Sequence, residues 1–302
     1  MQLGFVSAIV PELSLEQVFD LAIETQYDCV EIMCWPVGKA DRRYAGVTHL
    51  DVASFGEADA DRVRRLVEEK RVGISALGYY PNPLSPDAAV REVACQHLLK
   101  VIDAAALLGL PVINTFIGRD PTRMIEDQWE QLKQVWGPIV AHAEKKNIRI
   151  GIEHCPMLFS RDEWPGGKNL AISPLIWRRL FDTFAGPTLG LNLDPSHLVW
   201  QFIDAPRVIR EFGTRIYHVH AKDARIDQDK LYEVGVTGLM WHTPKLPGLG
   251  DVNWRAFFSA LSDTGYNGPI CVEVEDRAYE KTADDRKRAL LQSAAYLRNF
   301  VV

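Results

Sequence analysis

The chain has 302 residues, 47% of them hydrophobic and 25% charged, with a net charge of -6. These figures fit a globular chain with room for one large domain or two small ones. The acidic balance argues against a nucleic-acid partner, which needs basic patches, and no apolar run approaches the roughly 18 residues of a membrane span. Cys29, Cys34, Cys95, Cys155 and Cys271 are scattered without a CxxC pair, so reduced thiols and a cytoplasmic location are expected.

Apolar, β-rich runs alternate with segments of helical period from end to end. The start lacks the charged region and cleavage site of a signal peptide, so residues 3–8 read as a first strand. Ser14 and Gln17 form a capping box that opens a helix to about residue 26. A strand at 29–33 is followed by a loop to 57 and a charged helix over 59–70. A third strand at 73–79 leads to a long helix over 87–108, and a fourth at 112–116 to a helix over 125–146. The fifth strand ends at Glu153 and is followed by a helix over 174–184. Later strands end at Asp194, His220 and Glu275, with helices starting near 206, 253 and 283.

Eight strand-helix repeats without a break in composition predict one closed (β/α)8 barrel, a TIM barrel, over 1–302. The competing architecture, a doubly wound open sheet, would place a glycine-rich phosphate loop after the first strand, and none follows. Long connections at 34–57, 155–173 and 221–251 all follow strands, whereas the connections after helices are short. Long loops on the carboxyl face of a barrel shape a substrate pocket.

Four strand-like runs in the second half end on residues that bind metals: Glu153, Asp194, His220 and Glu273. Three carboxylates and one imidazole suit manganese first, with magnesium or cobalt(II) as alternatives, rather than a structural zinc. The opposing view is that each acid only caps a strand end or pairs with a lysine. Such pairing would have to recur at equivalent points of four strands. Glu273 and Glu275 share a strand face, so either can be the fourth ligand. A cation holding the carbonyl and hydroxyl oxygens of a sugar acidifies the proton between them. Glu153 and Glu273 can then act as the acid/base pair from different sides of the pocket.

His197 lies three residues after Asp194, where one turn brings it back to the same point as a substrate-binding group or acid. His218 is expected deeper than His220, in packing or in orienting a ligand. His154 either points away from the Glu153 face or turns into the pocket. Lys222 and Arg225 are candidates for substrate oxygens, or are solvated loop charges. Trp35, Tyr79, Tyr80, Phe116, Trp200 and Trp241, with His242 beside the last, lie near strand ends or in the loops that follow, and some can stack on a sugar ring. Glu31, Asn114 and Arg119 can serve either substrate hydroxyls or buried polar links.

The runs Gly151-Ile152-Glu153-His154, Asp194-Pro195-Ser196-His197, His218-Val219-His220-Ala221-Lys222-Asp223, Pro247 to Trp254 and Val272 to Asp276 together resemble the xylose isomerase-like superfamily of TIM barrels. That resemblance spans essentially the whole chain. It implies an Mn²⁺- or Mg²⁺-type ion held by Glu153, Asp194, His220 and Glu273. It also implies that the two glutamates double as acid/base and that His197 contacts substrate. His154, Trp35, Tyr79, Lys222, Arg225, Trp241 and His242 complete the expected substrate-binding set. The implied activity is isomerisation or epimerisation of a keto-sugar or cyclitol through an enediolate. The alternatives are β-elimination from a 3-keto-glycoside or inosose, and a non-catalytic sugar-binding barrel. A homo-oligomer is expected, with a small partner subunit if the protein is a lyase. The sugar epimerases carry an arginine six residues past the metal histidine, whereas here that position is Ile226, with Arg225 one step earlier.

Overall fold

The computed structural model describes residues 1–38, 44–158 and 167–301. Eight parallel strands close into a barrel: β1 (Gln2–Val6), β2 (Cys29–Met33), β3 (Gly73–Gly78), β4 (Val112–Thr115), β5 (Arg149–Glu153), β6 (Leu189–Leu193), β7 (Ile216–Ala221) and β10 (Pro269–Val272). A separate antiparallel hairpin, β8 (Asp223–Ile226) and β9 (His242–Lys245), stands on the connection after β7. The barrel closes where β1 pairs with both β10 and β2. This is a (β/α)8 TIM barrel, as the alternation of runs predicts.

The surrounding helices are α1 (Leu15–Glu24), α2 (Glu57–Lys70), α3 (Ala88–Leu108), α4 (Trp129–Lys145), α5 (Pro174–Thr183), α7 (Ala205–Phe212), α9 (Trp254–Asp263) and α10 (Ala283–Leu297). Two short ones, α6 (Pro195–Val199) and α8 (Gln228–Val234), sit in the loops after β6 and β7. Their starts follow from capping chemistry. Gln17 N donates to Ser14 Oγ and Ser14 N to Gln17 Oε1, which completes the capping box. Asp87 accepts from the first free amides of α3, and Gly109 ends that helix at φ 71°, a left-handed conformation that glycine adopts without strain.

Outward-facing strand residues such as Leu3, Ile32, Ile150 and Leu191 pack with Trp136, Trp177, Trp254 and Phe257 in one buried layer between strands and helices. Each tryptophan N–H has a partner: Trp136 donates to Ile117 O (2.9 Å), Trp177 to Ala171 O (2.7 Å) and Trp254 to Asp223 Oδ2 (2.8 Å). Burial of such rings therefore leaves no donor unpaired.

Two features differ from the sequence expectation. The last barrel strand stops at Val272, so Glu273 and Glu275 lie on the connection just beyond it. Glu273 N still reaches Ala221 O at 3.3 Å, which continues the ladder by one bond. The hairpin also has no sequence signal: Asp-Ala-Arg-Ile faces His-Thr-Pro-Lys without an alternating apolar face, and Pro244 belongs to an edge strand.

Candidate active site

β10, β7, β6 and β5 are consecutive neighbours in the barrel, so their carboxyl ends form one continuous rim. Glu153 is the last residue of β5, Asp194 follows β6 and caps α6, His220 lies near the end of β7, and Glu273 follows β10. One ligand atom from each of these four lies within 4.8 Å of all the others. Glu273, not Glu275, belongs to this group. Asp194 Oδ1 is occupied by the Ser196 amide at 2.8 Å, which leaves Oδ2 turned into the cluster. Asn169 fixes the chain after β5 by donating to Glu153 O (2.9 Å) and Cys155 O (2.8 Å).

Beneath this rim the barrel interior holds a fully buried polar network. His220 Nε2 lies 2.7 Å from Glu31 Oε2, and Asn114 Nδ2 donates to the same oxygen at 3.1 Å. Tyr80 OH donates to the other Glu31 oxygen. Asn192 stands between the two histidines, 3.0 Å from His220 Nε2 and 3.0 Å from His218 Nδ1, while His218 Nε2 meets Ser75 Oγ at 3.1 Å. A Cβ on Gly78 would collide with Glu31 and Met33, so this glycine makes room for the carboxylate. Burial alone would raise Glu31, yet the His220 charge and hydrogen bond, the His218 charge and the Tyr80 hydrogen bond hold it down at about 2. His220 Nε2 thus meets Glu31, and Nδ1 faces the rim, 3.7 Å from Glu273 Oε2.

Two cationic side chains complete the rim. Lys222 Nζ lies 2.5 Å from Glu273, 3.0 Å from Glu275 and 3.2 Å from Asp194. His197 Nε2 lies 3.2 Å from Glu153 Oε1 and 3.3 Å from Asp194 Oδ2, because α6 carries it one turn back over its own cap. Burial works against charge on Lys222, but Asp194, Glu273 and Glu275 outweigh it and push its pKa well above the ordinary lysine value. His197 is also raised well above the imidazole value, with burial opposing and Cys155 and Asp194 favouring the charge. Burial would raise Asp194, which Lys222, His197 and His220 instead hold at about 2. Glu273 moves the other way, to about 7: burial and the neighbouring Glu275 and Glu153 outweigh Lys222 and His220.

The remaining candidates separate into three groups. Trp35 and Tyr79 pack edge to face at 5.0 Å on the β2–β3 side of the mouth, and both line a cavity there. His242 stacks flat on Trp200 at 4.4 Å, and Trp200 Nε1 points to His197 Nδ1 at 3.4 Å, so these rings wall the opposite side. Trp241 is buried against Phe202 and donates to Gly238 O. The structure does not bring His154 or Arg225 to the mouth. His154 Nε2 accepts from the Asp194 amide at 3.0 Å and its ring packs on Trp177 behind the strands, which holds the start of the loop at Asp194. Arg225 is exposed on the hairpin, paired with Thr243 of β9, whereas Asp223 and Ala224 at the start of β8 are buried. Sequence reading did not single out Asn192 or Cys155. Asn192 is two residues before Asp194 on one strand face, a spacing that signals it; Cys155, near Glu153 and His197, has no comparable signal.

His220 Nδ1 is buried without a hydrogen-bond partner and faces three carboxylates. Without an ion, Glu31 and Glu273 outweigh burial and raise His220 to about 10; once its Nδ1 proton is displaced, that nitrogen with three oxygens around it fits a divalent cation. A parallel barrel with such a centre on its carboxyl rim defines a class of enzyme-bearing folds. The chain belongs to the xylose isomerase-like TIM barrel family, whose model matches residues 19–300. It is 26% identical to the uncharacterized protein YfiH of Bacillus subtilis (strain 168), over 91% of this chain and 93% of that one. It is also 26% identical to an inosose dehydratase of Clostridium perfringens, but over only 50% of this chain and 48% of that enzyme. Among solved structures, the IOLI protein with a bound zinc atom superposes with a TM-score of 0.73 at 15% identity, covering 99% of both chains. Among the described residues, no helix is long and apolar enough to cross a membrane.

Proposed function

We propose that this protein is a metal-dependent isomerase or epimerase that enolises a keto-sugar or keto-cyclitol. The observation that carries this reading is the convergence of Glu153, Asp194, His220 and Glu273 within 4.8 Å on the carboxyl rim. These four residues would hold a divalent cation, with manganese or magnesium best matched to three oxygens and one nitrogen. When bound, such an ion supplies Lewis-acid polarisation of a substrate carbonyl, which acidifies the adjacent C–H.

The protein's own groups handle the proton. Glu273 takes the proton from the carbon beside the carbonyl, and the C–H electron pair becomes the enediolate double bond. Glu153 returns a proton from its own side, on the opposite face for epimerisation or at the neighbouring carbon for isomerisation. His197 donates a hydrogen bond to the developing oxyanion, and Lys222 neutralises charge next to Glu273. Trp200 and His242 shield this side from water.

A second reading, dehydration, draws on the two protonated groups at the rim and on the similarity to an inosose dehydratase over half the chain. After the same proton abstraction, a β-hydroxyl would leave as water with a proton from His197. Glu153→Gln and Glu273→Gln distinguish the shared first step from a binding role. Both should reduce turnover by at least about 100-fold while thermal unfolding is unchanged, in line with loss of an acid/base group. Normal turnover in both variants would refute the two-carboxylate scheme.

A further inference from the structure

We propose that Glu275 is a positioning residue that holds the Lys222 ammonium at the edge of the metal centre, which leaves oxygens of Asp194 and Glu273 open to the cation. The role rests on the centre proposed above and gives a task to the acid that this centre does not use. Only Glu273 belongs to the four-residue group, although Glu275 follows it by two positions. Val274 between them is buried in the layer between strands and helices, while both glutamates reach Lys222. The alternation of faces thus continues past the end of β10 and turns two carboxylates to one side.

Lys222 is the one buried lysine among the described residues. It directly follows β7, the neighbour of β10, and its ammonium brings three N–H donors to three acids. Two of these acids are proposed ligands, so an ammonium and a cation draw on the same oxygens. The contacts are unequal. Lys222 donates to Glu273 Oε2 at 2.5 Å and pairs with Glu275 Oε2 at 3.0 Å. Asp194 Oδ2 lies 3.2 Å from Nζ, yet it is buried without a hydrogen-bond partner. The side chain of Glu275 is 27% exposed and that of Asp194 is fully buried, so the ammonium is drawn toward the solvent side and off Asp194.

An ammonium and a divalent cation that share oxygens also repel each other, so the place of the ammonium sets how well the cation binds. Glu275 acts on this in two ways. Its own charge favours any cation nearby, and its hold on Lys222 keeps a like charge off the ligands. Without Glu275 the buried ammonium needs another acceptor, since an unpaired charge away from water is costly. Asp194 Oδ2, already 3.2 Å away and without a hydrogen-bond partner, is the acceptor at hand. Glu275→Ala therefore turns Lys222 from a neighbour of the centre into a competitor for one of its ligands.

The test compares Mn²⁺ affinity, read by electron paramagnetic resonance on the full protein, across the wild type, Glu275→Ala, Lys222→Met and the double variant. The loss of affinity caused by Glu275→Ala should be at least about tenfold greater in the wild-type background than in the Lys222→Met background, where only the direct field of Glu275 is removed. Equal losses in both backgrounds, or none in either, would overturn the positioning role. A second measurement does not depend on the folding of Lys222→Met: nitrogen NMR of isotope-labelled lysine ammonium groups, among which the buried Lys222 exchanges most slowly. Adding Mg²⁺ should shift its signal little in the wild type and more in Glu275→Ala, where the cation drives the ammonium off Asp194. The same shift in both proteins would overturn the role. A wild-type protein that binds no Mn²⁺ would remove the centre and this role together, whereas binding with equal losses in both backgrounds would remove the role alone.

Discussion

Glu31 offers the sharpest test of how the centre is assembled, because it touches no proposed ligand except His220. Its Oε2 accepts from His220 Nε2 at 2.7 Å and from Asn114 at 3.1 Å, and its other oxygen accepts from Tyr80. In Glu31→Gln the amide oxygen can keep both Oε2 bonds, while its NH₂ group turns to Tyr80 OH, which can accept. Geometry and tautomer survive, and the negative charge behind the imidazole is lost. Outer-shell carboxylates of this kind are worth about 10–100-fold in metal affinity. Glu31→Gln should therefore weaken Mn²⁺ binding by about tenfold with little loss of stability. Glu31→Ala removes the acceptor as well and leaves His220, Asn114 and Tyr80 facing a cavity. It should weaken binding by about 100-fold and destabilise the fold by about 3 kcal/mol or more. Mn²⁺ titration followed by electron paramagnetic resonance, alongside urea unfolding, separates the two effects. Wild-type affinity in a folded Glu31→Gln protein would refute the argument that this carboxylate sets the basicity of His220 Nδ1.

Lys222 shares carboxylate oxygens with the proposed ion, so Lys222→Met should tighten Mn²⁺ binding by at least about tenfold while lowering turnover, since like charges about 4 Å apart repel by a few kcal/mol even when partly screened. Calorimetry with Mn²⁺ and a turnover assay check the two directions together. Asp223 accepts from the Ala224, Gly248 and Val252 amides and from Trp254 Nε1, so Asp223→Ala should cost about 3 kcal/mol in urea unfolding. Burial first, and then the charge on His197, lower His154 to about 3 and His242 to about 4. The unfolded chain takes up these protons near the ordinary histidine pKa of about 6.5, and the folded chain refuses them until far lower pH. In the metal-free protein the raised His197 and His220 add stability that is lost as pH rises above about 6.5, while the two lowered rings make stability fall by a few kcal/mol as pH drops from about 6.5 toward 4. A melting temperature that stays constant across that interval would contradict the burial of these rings.

The barrel can be read from the chain because its strands are buried on both faces and its helices are marked by caps such as Ser14, Asp87 and Asn253. The four proposed ligands are equally visible, since each ends an apolar run and barrel topology then brings those ends together. What local pattern does not reveal is pairing across the barrel. Glu31 and His220 are 189 residues apart, and nothing near Glu31 says whether its partner is a substrate hydroxyl or an imidazole. His154 was open for the same reason: its face depends on whether the chain stays extended past Glu153, and the Asp194 amide decides it. The position of Lys222 amid three acids likewise follows only from the register of β7 beside β10.

The central claim is that this rim removes a carbon-bound proton beside a carbonyl. The most direct measurement is proton NMR of the Mg²⁺-loaded protein in D₂O with ketoses, inososes and 3-keto-glucosides. The account predicts that one C–H signal next to the ketone of a substrate disappears, faster than in protein-free solution, and that Glu153→Gln and Glu273→Gln slow this loss. Retention of every C–H signal across the panel, with the ion demonstrably bound, would contradict it.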